Sequence, residues 1–170
     1  MIVLGVDPGT HITGYGVVEE NDGGGRALIE CGAIRPTPDR SLAEKLVEIY
    51  EGVSRVIDRT CPDVLCVEGV FYGRNVRTTV ILGHARSVVM LAAAMRAIQV
   101  TENAPAEVKN SIVGTGKAAK DQVAFMVQKH LSLAEPPSPS DAADGVALAL
   151  CHLFRTRPAV SGGVGRRHID

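Results

Sequence analysis

Apolar and polar positions change period several times along the chain, and each change marks an element. Residues 2–7 (Ile-Val-Leu-Gly-Val-Asp) form a continuous apolar run closed by an acid, which predicts a buried central strand carrying a carboxylate at its C-terminal end. Pro8-Gly9 turns the chain, residues 13–20 read as a second strand, and Asn21-Asp22-Gly23-Gly24-Gly25 is a hairpin loop leading to a third strand over about 26–35. From Ser41 the period becomes helical: Leu42, Leu46, Ile49, Tyr50, Val53, Val56 and Ile57 share one face, with Ser41 and Glu44 spaced as a capping box.

Asp63 to Glu68 repeats the apolar run ending in an acid and predicts a fourth strand. Residues 75–97 contain no Pro and one Gly, and predict a helix of roughly 20 residues whose apolar positions cover more than one face. A fifth strand at 98–103, a short helix from about 105, a helix at about 118–131 and a last helix at about 139–155 complete the order. The expected architecture is α/β: a five-stranded mixed sheet, three antiparallel strands followed by two parallel ones, flanked by helices. Residues 157–170 lack periodicity and are expected to form a disordered tail behind a domain of residues 1–156.

Composition narrows the function classes. A chain of 170 residues reads as one domain, too short for a ligand to be clasped between two lobes. The apolar run from Val88 to Ala94 is far short of the ~20 residues of a membrane span. The first residues enter a strand pattern without a basic stretch or a small-residue cleavage site, so a cytoplasmic protein is expected. Cys31, Cys61, Cys66 and Cys151 form no C-x-x-C pair and read as buried reduced thiols. The formal charge of −1 conceals an uneven distribution. Residues 1–70 hold 12 acidic and six basic groups, whereas residues 71–134 hold eight basic and three acidic ones. Such a basic middle is compatible with nucleic acid and with a solvated helix face alike.

Four carboxylates stand out. Asp7 and Glu68 close apolar strands; Asp141 and Asp144 open the last helix. With Ser138 as N-cap and Pro139 as the first helical residue, Asp141 falls at the third helical position of a capping box and Asp144 one turn later on the same face. Capping explains Asp141 but not Asp144, which precedes the apolar run Val146 to Leu150. Two unpaired carboxylates 4 Å apart repel by about 4 kcal/mol at an effective dielectric of 20, and a divalent cation removes that cost. Oxygen donors alone suit Mg²⁺ or Mn²⁺, not zinc. Two such ions would activate a water and stabilise the leaving oxygen of a phosphodiester displacement. A strand-end Asp also serves as a simple turn residue, so the spacing alone leaves both readings open.

The segments Val6-Asp7-Pro8-Gly9-Thr10, Val67 to Asn75 with its E-x-x-F, and Asp141-Ala142-Ala143-Asp144-Gly145, in this order of elements, resemble the RuvC family of bacterial Holliday-junction-resolving endonucleases over about residues 1–156. The resemblance implies an RNase H-like fold and a homodimer in which each subunit nicks one strand of a four-way DNA junction at symmetric positions. It further implies two Mg²⁺ ions per subunit, with Mn²⁺ able to substitute, held by Asp7, Glu68, Asp141 and Asp144. Phe71 resembles the family's aromatic that stacks on an unpaired base, and Lys109 and Lys120 resemble its lysines near the scissile phosphates. Lys117 lies in the basic segment Gly114-Thr115-Gly116-Lys117 beside them, and Arg74, Asn75 and Arg77 are expected to touch backbone phosphates. A RuvA-RuvB branch-migration complex is an implied partner, and the nucleoid the implied place of work. In this family the long helix contributes to the dimer interface; Gly83, Ala85, Ala92, Ala93 and Ala94 would admit a second helix closely.

Three rivals are weaker. Asp7-Pro8-Gly9-Thr10 also resembles the phosphate-binding turn of sugar kinases and actin-like ATPases, but those need two domains. The Gly-Thr-Gly-Lys run lacks the first Gly and the Ser/Thr of a P-loop, so no nucleotide cofactor is expected. An RNA-processing nuclease of the YqgF type would share the strand-end acids but not Phe71 and the basic 109–120 region. A catalytically silent junction-binding module would not need all four acids.

Overall fold

The computed structural model describes residues 1–69 and 76–156. Three strands arise in succession, β1 (Ile2–Asp7), β2 (Thr13–Glu20) and β3 (Arg26–Ile34), followed by α1 (Leu42–Thr60), β4 (Val64–Glu68), α2 (Val76–Ala94) and β5 (Gln99–Asn103). Three helices end the described chain: α3 (Pro105–Val113), α4 (Lys120–His130) and α5 (Ser140–Thr156). The sheet runs in the order β3-β2-β1-β4-β5. β1 and β2, and β2 and β3, pair antiparallel; β1 and β4, and β4 and β5, pair parallel. The expected RNase H-like arrangement of three antiparallel strands followed by two parallel ones is therefore present.

β1 is central, and its apolar run has the reason the pattern implied: Val3, Leu4 and Val6 have no exposed surface, because helices cover both faces. On one face Leu4, Val6, Val17, Leu65 and Val67 pack under α1 and α2. On the other, Val3, Val18 and Cys66 pack under α5, with Val108, Ile112, Val123 and Val127 of α3 and α4 in the same core. The capping box of α1 forms as its spacing predicts: Glu44 N donates to Ser41 Oγ (3.3 Å), and Ser41 N donates to the Glu44 carboxylate (2.8 Å).

Three expectations need correction. α5 starts at Ser140, so Ser138 is not its cap and Pro139 lies outside it; the Pro139 carbonyl accepts from Ala142 N (2.9 Å) and so opens the helix itself. Of the cysteines, Cys66 and Cys151 are buried, but Cys61 is exposed, because it follows α1 in the left-handed conformation that ends the helix. Of the small residues of α2, Ala85, Ala92 and Ala93 are spent on this chain's own core, while Ala94 is exposed and a Cβ on Gly83 would meet open space, so only these two are left to face a second helix. The outward side of α2 also carries Val80 and Leu91, and Met95 follows just after its end, each more than half exposed. Among the described residues no helix is long and apolar enough to cross a membrane. The expected tail at 157–170 lies outside the described residues.

Candidate active site

The C-terminal ends of β1 and β4 are neighbours because the two strands pair parallel, Val6 facing Val67. Asp7 and Glu68, the next residue on each, therefore emerge side by side. The turn after Asp7 is held by Thr13, fully buried, whose hydroxyl accepts from Gly9 N (3.2 Å) and donates to Gly9 O (2.8 Å). The chain after Glu68 is held by Gly69 N donating to Asn103 O (2.9 Å) at the end of β5.

α5 brings the other two acids, and it does so by lying unusually close to the sheet. A Cβ on Gly14 would stand 2.0 Å from the Asp141 carbonyl oxygen, one on Gly16 2.6 Å from the Val146 Cα, and one on Gly145 2.6 Å from the Tyr15 Cα. Asp7 pairs with Gly14 in the β1–β2 register, so this missing-side-chain contact sets Asp141 and Asp144 over the end of β1. Gly14 and Gly16 within a strand and Gly145 within a helix each carry a propensity cost, and that cost was the available sequence signal for the contact.

Asp7, Glu68, Asp144, Lys109 and Lys120 line one cavity of about 310 Å³, floored by Val108, Val123 and Ala147. Lys120 Nζ donates to Asp144 Oδ2 at 2.8 Å. Lys120 is the first residue of α4, where a cation opposes the helix dipole; the ion pair with Asp144 offsets that. Burial raises Asp7 from 3.8 to about 7, and the charges of Glu68, Asp144 and Asp141 push it the same way while Lys120 opposes them. Glu68 is raised as well, by burial and then by Asp144; Lys120, a hydrogen bond shared with Asp7, and Lys109 pull it back. Lys120 is itself raised by its bond to Asp144. Asp7 thus holds a proton near neutrality, and it does so because several carboxylates share a poorly hydrated site.

The donor set fits a hard divalent cation: every anionic group is a carboxylate, and the crowding that raises Asp7 is what a cation would relieve. Among the described residues no three His, Cys, Asp or Glu side chains already converge as a coordination shell, consistent with Asp144 being drawn to Lys120 and Asp7 bonding Glu68.

Other expected residues stand differently. Lys117 is exposed in the turn between α3 and α4, and Arg77 is exposed in the first turn of α2; neither lines this cavity. Phe71, Arg74 and Asn75 lie outside the described residues. Thr13 and the glycines at 14, 16 and 145 are the positioning residues that periodicity did not single out.

The family described as crossover junction endodeoxyribonuclease RuvC matches residues 3–152. Crossover junction endodeoxyribonuclease RuvC of Pelotomaculum thermopropionicum is 45% identical over 152 residues, covering 89% of this chain and 92% of the relative. That of Legionella pneumophila is 42% identical over 166 residues, 98% of this chain and 94% of the relative. A solved structure of T. thermophilus RuvC in complex with Holliday junction substrate superposes with a TM-score of 0.81 at 32% identity, covering 91% of this chain and 94% of that one. With a match over nearly all its described length, in strand order as well as in sequence, the chain belongs to the RuvC family of crossover junction endodeoxyribonucleases.

Proposed function

We propose that this chain is a structure-selective endonuclease that resolves four-way DNA junctions in recombination and repair, with Asp7, Glu68, Asp141 and Asp144 as its metal-binding catalytic acids. The observation that carries the reading is the cavity in which Asp7, Glu68 and Asp144 face Lys109 and Lys120, within a chain of this family.

Two Mg²⁺ ions, replaceable by Mn²⁺, would supply an activated water and charge stabilisation for the departing oxygen. The four acids supply oxygen donors from two strand ends and one helix face. Proton loss from Asp7 is part of binding such an ion, since a carboxyl that holds its proton to about pH 7 must give it up to become a ligand. Lys120 and Lys109 present ammonium groups to the scissile phosphate; Lys120, which pairs with Asp144 here, would be free for the phosphate where Asp144 served to hold an ion. Attack by water on phosphorus breaks the P–O3′ bond and leaves a 5′-phosphate and a 3′-hydroxyl. Lys117 and Arg77, both exposed, contact backbone phosphates; Phe71 stacks on an unpaired base, and Arg74 and Asn75 contact the backbone as well.

Productive resolution requires two opposed nicks, which a two-fold dimer supplies. Val80 and Leu91 of α2, Met95 just after it and Val47 of α1 are exposed apolar side chains that would be covered in that dimer. The protein works in the cytoplasm at the nucleoid, with a RuvA-RuvB motor moving the junction.

The test is incubation with Mg²⁺ and end-labelled four-way junction, linear duplex or ribose-containing duplex. Paired nicks in the junction, little cutting of linear duplex and none in EDTA are expected. Robust cutting of the ribose duplex in place of the junction would overturn the assignment in favour of an RNA nuclease.

A further inference from the structure

Glu68 borders two cavities. One is the acidic site; the other, about 160 Å³, lies on the opposite side of the strand end and is lined by Pro8, Glu68, Gly69, Leu82, Arg86 and Pro105, with Thr79 at its edge. Arg86 is a charged residue on the otherwise apolar inner region of α2, next to Ala85 and Val89, which have no exposed surface. Only 16% of its side chain is exposed. One end of its guanidinium pairs with Glu102 of β5, while its Nε–H is buried and has no hydrogen-bond partner among the described residues.

A buried guanidinium with an unpaired donor is costly, and pairing with Glu102 does not explain why it is kept. Glu102 is half exposed and would remain hydrated without Arg86. Glu68 lines the same cavity as Arg86, and the β4–β5 register gives the reason: Glu102 faces Val67 and Asn103 faces Glu68, so an arginine anchored on Glu102 stands one residue from the Glu68 strand end.

We infer that Arg86 is a positioning residue for Glu68: anchored on Glu102, it aims a donor and a positive charge across the small cavity at the rear of the Glu68 carboxylate and so fixes the direction in which that carboxylate offers its other oxygen to the metal site. The inference rests on Glu68 being one of the site's metal-binding acids. Groups that orient metal-binding carboxylates through a hydrogen bond alter metal affinity by about 10- to 100-fold when removed. Because Glu102 stays solvated and Glu68 keeps its hydrogen bond with Asp7 and the charges of Lys120 and Lys109, loss of Arg86 leaves no charge without a partner, and the fold should tolerate it.

The experiment measures Mn²⁺ binding to the full chain without DNA, by electron paramagnetic resonance of free Mn²⁺, together with the Mn²⁺ dependence of junction cleavage and junction affinity in EDTA. Arg86→Met is expected to weaken Mn²⁺ binding by about 10-fold or more and to raise the Mn²⁺ needed for half-maximal cleavage in parallel. Junction affinity in EDTA should stay within about twofold, since the metal site is not engaged there. Arg86→Lys, which keeps the charge and a donor, should recover most of the loss; a merely structural role would not predict that rescue. Unchanged or tighter Mn²⁺ binding in Arg86→Met would overturn the role, tighter binding meaning that Arg86 acts only by repelling the ion. Glu68→Gln separates the two levels: if it loses Mn²⁺ binding while Arg86→Met does not, only the role of Arg86 fails. If Glu68→Gln binds Mn²⁺ normally, the metal-site reading fails and takes this one with it.

Discussion

Replacing Asp7 by Asn should make the metal-free protein more stable while destroying its activity. The Asp7 carboxyl is raised from 3.8 to about 7, first by burial and then by the charges of Glu68 and Asp144. A raised carboxyl means that the folded protein holds the proton more tightly than the unfolded chain does. The associated stability is fully present below pH 4 and is lost as pH climbs through 7. A shift of roughly three units corresponds to about 4 kcal/mol between those limits, an upper figure because the side chain relaxes toward solvent as it ionises. Asn has the same shape, carries no charge to desolvate, and can still donate to Glu68. Urea unfolding in EDTA at pH 5, 6.5 and 8 tests this. Wild type should lose stability across the series, Asp7→Asn should lose much less, and at pH 8 the variant should be the more stable by up to about 4 kcal/mol, or very roughly 10 °C in melting temperature for a chain of this size. Saturating Mn²⁺ should restore wild type and do little for the variant. Equal pH slopes in the two proteins, or a less stable variant at pH 8, would refute the idea that Asp7 is an ionised group paid for by metal binding. The same variant should bind a junction in EDTA and fail to cut it in Mg²⁺.

The other outcomes rest on different contacts. Gly14→Ala places a Cβ 2.0 Å from the Asp141 carbonyl; α5 must retreat, costing about 1–3 kcal/mol or more in urea unfolding and at least a tenfold loss of cleavage as Asp141 and Asp144 leave Asp7. Lys120→Gln removes the partner of Asp144, yet the lysine is three-quarters exposed, so unfolding should change by less than about 1 kcal/mol while single-turnover cleavage falls by a factor of ten or more; a large stability loss with normal cleavage would make the lysine structural. Leu91→Glu on the outward face of α2 should convert a dimer to a monomer in analytical ultracentrifugation and reduce paired nicking, and an unchanged sedimentation coefficient would place the interface elsewhere.

Much of the fold was legible because its signals are local. The acid-terminated apolar runs at 2–7 and 63–68, the Ser41 capping box and the glycine loop at 21–25 each announce an element from within a few residues, and every predicted element appears within a few residues of its expected bounds. The start of α5 was misread because Ser138-Pro139 resembles a helix entry, whereas the Pro139 carbonyl opens the helix one residue later. The small residues of α2 divide for a related reason: alanine at helical spacing suits a partner helix and a chain's own core equally, and only packing distinguishes Ala85, Ala92 and Ala93 inside from Leu91 and Ala94 outside.

The sequence by itself determined which residues are acids at strand ends, which segments are helices, and, through the combined motifs, the family. What the tertiary structure alone decided is that these groups meet. Asp7 and Glu68 adjoin because β1 pairs parallel with β4, a crossover choice that no local period records. Asp144 joins them because three glycines let the backbones of α5 and β2 touch, and Lys120 comes over Asp144 from a helix opening 24 residues earlier. Burial and mutual repulsion in that meeting turn ordinary aspartate into a carboxyl that keeps its proton to about pH 7. Charge identity is written residue by residue, but the energy of a charge depends on its neighbours and its water, and only the folded chain fixes those.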